Sequence, residues 1–173
     1  VPKDFDVNKH IVYAQPFFMH YVHAFLDAHN QHDIIHRYFK RGWMPMLREG
    51  KTKTLWETWS DKQSECYAWS GTPAYDLSTY WLGVRQTSPK FRDVLIKPNL
   101  YGMNWAKGTY PTPMGDIIVK WESNVQNDSN IVEFEVTIPE KIQSAKFLSR
   151  DTRAKSQKKS FILERNISLL QIL

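Results

Sequence analysis

Apolar residues recur at helical spacing in the first half of the chain and at alternate positions in the second. After Pro16 they fall at Phe18, Tyr21, Val22 and Phe25, the i, i+3, i+4, i+7 signature of an amphipathic helix. Pro16 suits a first-turn position, where its missing N–H is not needed. Asn30 can end this helix in the left-handed conformation. Asp33 is placed to cap a second helix, with a core face of Ile35, Tyr38, Phe39, Trp43 and Met46 or Leu47. Gly42 and Pro45 should bend or break it near Met44. The short connection makes the two helices an antiparallel hairpin. A third helix is capped by Thr72, carries Pro73 in its first turn, turns Leu77, Tyr80, Trp81 and Val84 inward, and ends near Gly83.

The composition changes between Ser88 and Pro89, and the period becomes two. "DVLIKP" is the first expected strand, and "MNWAKGTY" and "DIIVKWE" flank the turn "PTPMG" as a hairpin. In "IVEFEVTIP", Val132, Phe134, Val136 and Ile138 point one way, and Glu133, Glu135 and Thr137 the other, as in a half-buried strand. "SAKFLS", "SFILE" and "ISLLQIL" complete the set. The expected fold class is therefore α+β in two parts. Helical hairpins occupy residues 1–88, and an antiparallel β-sandwich occupies residues 89–173. Three aromatic-rich helices cannot enclose one another, so the helical part reads as the end of a larger helical array.

Composition narrows the choices. Aromatic residues make up 14% of the 173, enough to fill a large core or to line a site for a ring-shaped ligand. The net charge of +5 comes with no basic run of the length of a nucleic-acid arm, and Arg150 to Lys159 reads as a solvated loop. No apolar run reaches the length of a membrane span, and the N-terminus carries no signal pattern. The chain begins at Val1 rather than Met, which suggests a piece of a longer gene product. The single cysteine, Cys66, excludes an internal disulfide. Asn127 and Asn166 open glycosylation-acceptor patterns, which are common by chance.

One stretch concentrates candidate chemistry: "TLWETWSDKQSECYAW", residues 54–69. Large aromatics are costly to expose, and a glutamate is costly to bury without a partner or a task. Rings beside a carboxylate are what a sugar site needs. The rings pack on the apolar face of a pyranose, and the carboxylate activates water or protonates a leaving oxygen. By residue chemistry alone, Glu57 as a surface charge beside core tryptophans remains the commoner explanation. His29, His32 and His36 have spacings that could share a helical face, but the run crosses the helix break at Asn30. Polar helix faces, with no metal and no cofactor, are the expectation. Cys66 has no base at an obvious spacing and reads as a small buried residue. Glu65 fixes no geometry with Glu57, and Asp61 and Asp76 read as a turn residue and a first-turn helix charge.

Three segments, "WMPMLREGKTKTLWETW", "SECYAWSGTPAYDLSTYWLGV" and "FRDVLIKPNLYGMNWAKGTYPTPMGDIIVKWE", resemble in that order the C-terminal part of bacterial α-L-rhamnosidases of glycoside hydrolase family 78. The resemblance implies the last hairpins of an (α/α)6 barrel followed by a C-terminal β-sandwich. It implies hydrolysis of terminal α-L-rhamnose with inversion in a full-length parent. One acid protonates the leaving oxygen, and a carboxylate roughly 6.5–9.5 Å away activates water. The general-base motif falls on Glu57. Trp56, Tyr67 and Trp69 become sugar-stacking or pocket-wall residues. Tyr67 stands where the family usually has a histidine, and a phenol can hydrogen-bond a hydroxyl but cannot carry imidazolium charge. The general acid has no counterpart in this chain, so the 173 residues alone should be inactive. The implied partners are a rhamnose-containing glycoside and the N-terminal part of the same protein. A periplasmic or secreted setting fits polysaccharide breakdown. Two alternatives stay open: a non-catalytic carbohydrate-binding or interaction module with Trp105, Tyr110 and Trp121 as its platform, and a six-hairpin glycosidase for another sugar.

Overall fold

The computed structural model describes residues 13–50, 52–60, 64–126, 129–148 and 156–163. The chain forms two compact units, residues 1–76 and 77–173.

The first unit holds α1 (Met19–Ala28), α2 (His32–Tyr38), α3 (Met44–Arg48) and α4 (Thr72–Asp76). Asn30, at φ 57°, makes the left-handed turn between α1 and α2, as its short polar side chain allows. α2 starts at His32, after Gln31, so Asp33 lies inside the first turn instead of capping it. There its carboxylate accepts from Arg37 at 3.3 Å. The expected bend is a π-helical turn at Phe39–Trp43 that contains Gly42. Pro45 then sits in the first turn of α3.

Met19, Trp43 and Met46 form the buried centre of this unit, with Val22, Leu55, Trp56 and Trp59 packed around them. The buried face of α1 differs from the one its apolar period suggests. Phe18, Tyr21 and Phe25 are 54%, 56% and 63% exposed, while Met19, His23 and Asp27 are buried. The reason lies outside the helix. His23 meets Asp76 at 2.6 Å and Asp27 meets His32 at 2.8 Å, so these polar groups are buried with partners.

Gly42 has no side chain because the Trp59 ring occupies that space; a Cβ there would overlap it. On an open helix, Gly→Ala gains about 1 kcal/mol. Here the ring must move first, so Gly42→Ala is expected to destabilise by about 1–3 kcal/mol. Urea unfolding measures the sign, and a stabilised variant would contradict the packing.

In the second unit a π-helical turn at Leu77–Trp81 precedes β1 (Val84–Gln86), β2 (Asp93–Ile96), β3 (Trp105–Tyr110), β4 (Ile117–Gln126), β5 (Ser129–Ile138), β6 (Ser144–Phe147) and β7 (Ser156–Leu163). Helical conformation ends at Trp81, with Tyr80 and Trp81 buried as expected. Leu77 is exposed, and Val84 belongs to a strand. Gly83, at φ 82°, makes the turn between them.

The strands form two sheets, ordered β1-β2-β6 and β3-β4-β5-β7. Their inner faces meet where the Phe134 and Phe147 rings lie 5.0 Å apart. Alternation along β5 is as expected, with Val132, Phe134, Val136 and Ile138 buried and Glu133 and Glu135 exposed. Trp121 is fully buried and donates from Nε1 to the Trp81 carbonyl at 2.9 Å. The order of helices followed by a sandwich matches the expected class, but the pairing is mixed. β2 pairs with β6, and β5 with β7, in parallel. In each case the chain visits the other sheet before it returns, and such a crossover permits parallel pairing. β7 also takes in Lys158 and Lys159, so that part of the basic cluster is strand rather than loop. His10, Asp61, Asn127, Asn166 and the expected strand at 167–173 lie outside the described residues.

Candidate functional site

The stretch that carries Glu57 is not helix or sheet, yet its backbone is held closely. Residues 54–57 run beside residues 64–67. The Thr54 hydroxyl donates to the Glu65 carbonyl, the Tyr67 N–H to the Leu55 carbonyl at 2.9 Å, and the Glu57 N–H to the Ser64 carbonyl at 2.9 Å. A second set of bonds comes from the core side. The Ser70 hydroxyl donates to the Trp56 carbonyl at 2.5 Å, and the Trp56 N–H points at Met46 Sδ at 3.4 Å. Glu57 is half-buried at the foot of this loop.

The four residues singled out from sequence separate into two groups. Tyr67 and Trp69 stand together as an edge-to-face pair with ring centroids 5.9 Å apart. Trp69 is 67% exposed and continues to Phe17 at 5.4 Å, and Phe17 to Tyr21 at 6.3 Å. His20 joins this surface through Tyr21 and Tyr75, at 5.4 and 4.9 Å. Trp56 instead packs inward, onto Gly50, where an added Cβ would come within 2.7 Å of its ring. A row of accessible rings next to a carboxylate-bearing loop can stack on a sugar and leave the carboxylate to act on water.

The described histidines are engaged separately. His29 Nδ1 lies 2.8 Å from the Phe25 carbonyl, and His32 is engaged by Asp27. Burial, and then the Lys40 charge, push His36 below the ordinary histidine range. Among the described residues no group of three His, Cys, Asp or Glu side chains could hold an ion. Cys66 is exposed, contrary to the buried position expected for it. Asp76 proves to be more than a first-turn charge. It is fully buried against His23, and burial raises its carboxyl above the usual range while the His23 hydrogen bond and charge partly oppose that rise.

Sequence reasoning passed over Ser70, and it read Trp43 as a core residue without its bond to Ser70. Both are buried, and the Trp43 indole N–H donates to the Ser70 carbonyl at 2.9 Å. A small polar residue inside "AWSGTP", between aromatic residues and a helix start, was the available signal. The aromatics of the alternative platform do not share a surface. Trp105 is 66% exposed, Tyr110 packs on Phe91 at 5.6 Å, and Trp121 is in the core. No described helix is long and apolar enough to cross a membrane.

With helices followed by a two-sheet sandwich, the chain resembles the C-terminal part of family 78 glycoside hydrolases. Residues 83–162, which span nearly all the described strands, match the bacterial alpha-L-rhamnosidase C-terminal domain. An alpha-L-rhamnosidase of Alteromonas sp. (strain LOR) is 32% identical over 118 residues, covering 61% of this chain and 12% of that protein. The crystal structure of a family 78 rhamnosidase of Bacillus sp. GL1 aligns with a TM-score of 0.72 at 24% identity, over 89% of this chain and 16% of that one. That likeness is one of fold, and it extends through both the helical unit and the sandwich. The chain spans only a small share of either relative's length.

Proposed function

We propose that this chain is the C-terminal part of an α-L-rhamnosidase-like glycoside hydrolase, with its helices closing an (α/α)6 barrel and its strands, from β1 onward, forming the sandwich. Glu57 is the general base. Tyr67 and Trp69 face the sugar, and Trp56 backs the pocket wall. The observation that carries this reading is the pairing of residues 54–57 with residues 64–67, which holds the Glu57 segment against the segment that leads into Tyr67 and Trp69. The exposed aromatic face of α1 supports it as well, since further helices of the parent would cover such a face. The substrate is a terminal α-L-rhamnoside. The phenol of Tyr67 hydrogen-bonds a sugar hydroxyl without adding charge to the pocket.

The test uses the full-length protein and an aryl α-L-rhamnoside, with the released sugar followed by proton NMR. The first-formed product should be the β anomer, because a water activated on the face opposite the leaving group inverts the centre. First-formed α product would overturn the general-base role. Turnover of a different aryl glycoside, with none of the rhamnoside, would assign the site to another sugar. The 173 residues alone should give no turnover.

A further inference from the structure

We infer that Ser70 is a positioning residue for Glu57, acting through the peptide that joins Trp56 to Glu57. The Trp56 carbonyl and the Glu57 N–H belong to one peptide plane, and each end of that plane is bonded. Ser70 Oγ donates to the carbonyl at 2.5 Å, and the N–H donates to the Ser64 carbonyl at 2.9 Å. A plane held at both ends cannot rotate without breaking one bond, so the peptide from which Glu57 continues is held in place, which narrows the directions open to its side chain. This matters because the described residues on either side of Glu57, 52–60 and 64–67, form no helix or strand to do the same.

Ser70 is itself fixed. It is fully buried in the short helical turn Ala68–Ser70, and its carbonyl accepts the Trp43 indole N–H at 2.9 Å. Trp43 is 2% exposed and packs edge-on against Trp59, with centroids 4.9 Å apart. The position of Glu57 is thus tied through one hydroxyl and one indole to the centre of the helical unit. A carboxylate that must deprotonate water in line with a sugar carbon gains from such preorganisation, and displacement by an ångström is enough to slow turnover.

The inference rests on Glu57 being the base, and the experiment separates the two. Ser70→Ala is made in the full-length protein both with Glu57 present and in the Glu57→Gln background. With Glu57 present, kcat should fall by about tenfold while KM stays within about twofold. In the Glu57→Gln background the same change should cost less than about twofold, because a residue acting through Glu57 has nothing left to position. If Ser70→Ala does not fold, Ser70→Cys, which keeps the size of the side chain and replaces the hydroxyl by a poor donor, goes through the same cycle with the same signature. An unchanged kcat in the presence of Glu57, or equal losses in both backgrounds, overturns the role of Ser70 and leaves the base assignment standing. Full turnover by Glu57→Gln alone overturns both.

Discussion

Glu57→Gln in the full-length protein is expected to lower kcat by about 10²–10⁴ and to leave KM within a few-fold, the usual contribution of a positioned general base. The fold should be untouched, and the reason is visible in the loop. The bonds that hold this segment are made by the backbone of residue 57 and by Ser64, Ser70 and Leu55, not by the Glu57 side chain. Glutamine has the same shape and keeps every one of them. What it lacks is a basic oxygen to accept the proton of the attacking water. The loss should therefore fall on the chemical step, as it does when an interaction used only in the transition state is removed. Steady-state kinetics on an aryl α-L-rhamnoside, with the circular dichroism spectrum and melting midpoint as controls on folding, measure it. Turnover close to that of the parent would remove Glu57 from the mechanism.

The sandwich was largely legible in the sequence because period-two alternation is local. Val132 to Ile138 announce their buried face without help from any other strand. Pairing is not local, and so the parallel contacts of β2 with β6 and of β5 with β7 could not be read in advance. The helical unit shows a different limit. Apolar periodicity chose Phe18, Tyr21 and Phe25 as the inner face of α1, and the face packed within this unit is instead Met19, His23 and Asp27. A pattern search treats histidine and aspartate as outward residues, since they are rarely fully buried unless paired. The partner of His23 lies 53 residues away in α4, where nothing near His23 in the sequence reveals it. The glutamate–aromatic stretch stood out by composition, but Ser70 did not. Its part depends on a carbonyl fourteen residues earlier, and no spacing rule connects them.

Asp76→Ala should produce a large loss of stability in the helical unit, about 1–3 kcal/mol, the cost of leaving a buried polar group without its hydrogen-bond partner. Both side chains of the pair are fully buried, so the alanine leaves the buried His23 Nδ1 without its partner. His23→Ala should cost a similar amount for the converse reason. The pair joins α1 to α4, so its loss should loosen the start of the segment that follows Ser70. The pH dependence has a definite sign. Burial raises the Asp76 carboxyl above its unfolded value of 3.8, against the opposing effect of His23. Between 3.8 and the folded value, the folded state keeps a proton that the unfolded state has released. Stability therefore falls as pH rises through that window, the reverse of the usual carboxylate case. Asn at this position keeps the shape and a carbonyl acceptor but does not titrate. The stability of Asp76→Asn relative to the parent protein should accordingly rise as pH increases through that window and then level off. Urea midpoints for the two proteins, compared pH by pH, cancel the contributions of the other carboxylates. A difference that is flat across the window, or that slopes the other way, would show that burial does not govern the Asp76 carboxyl.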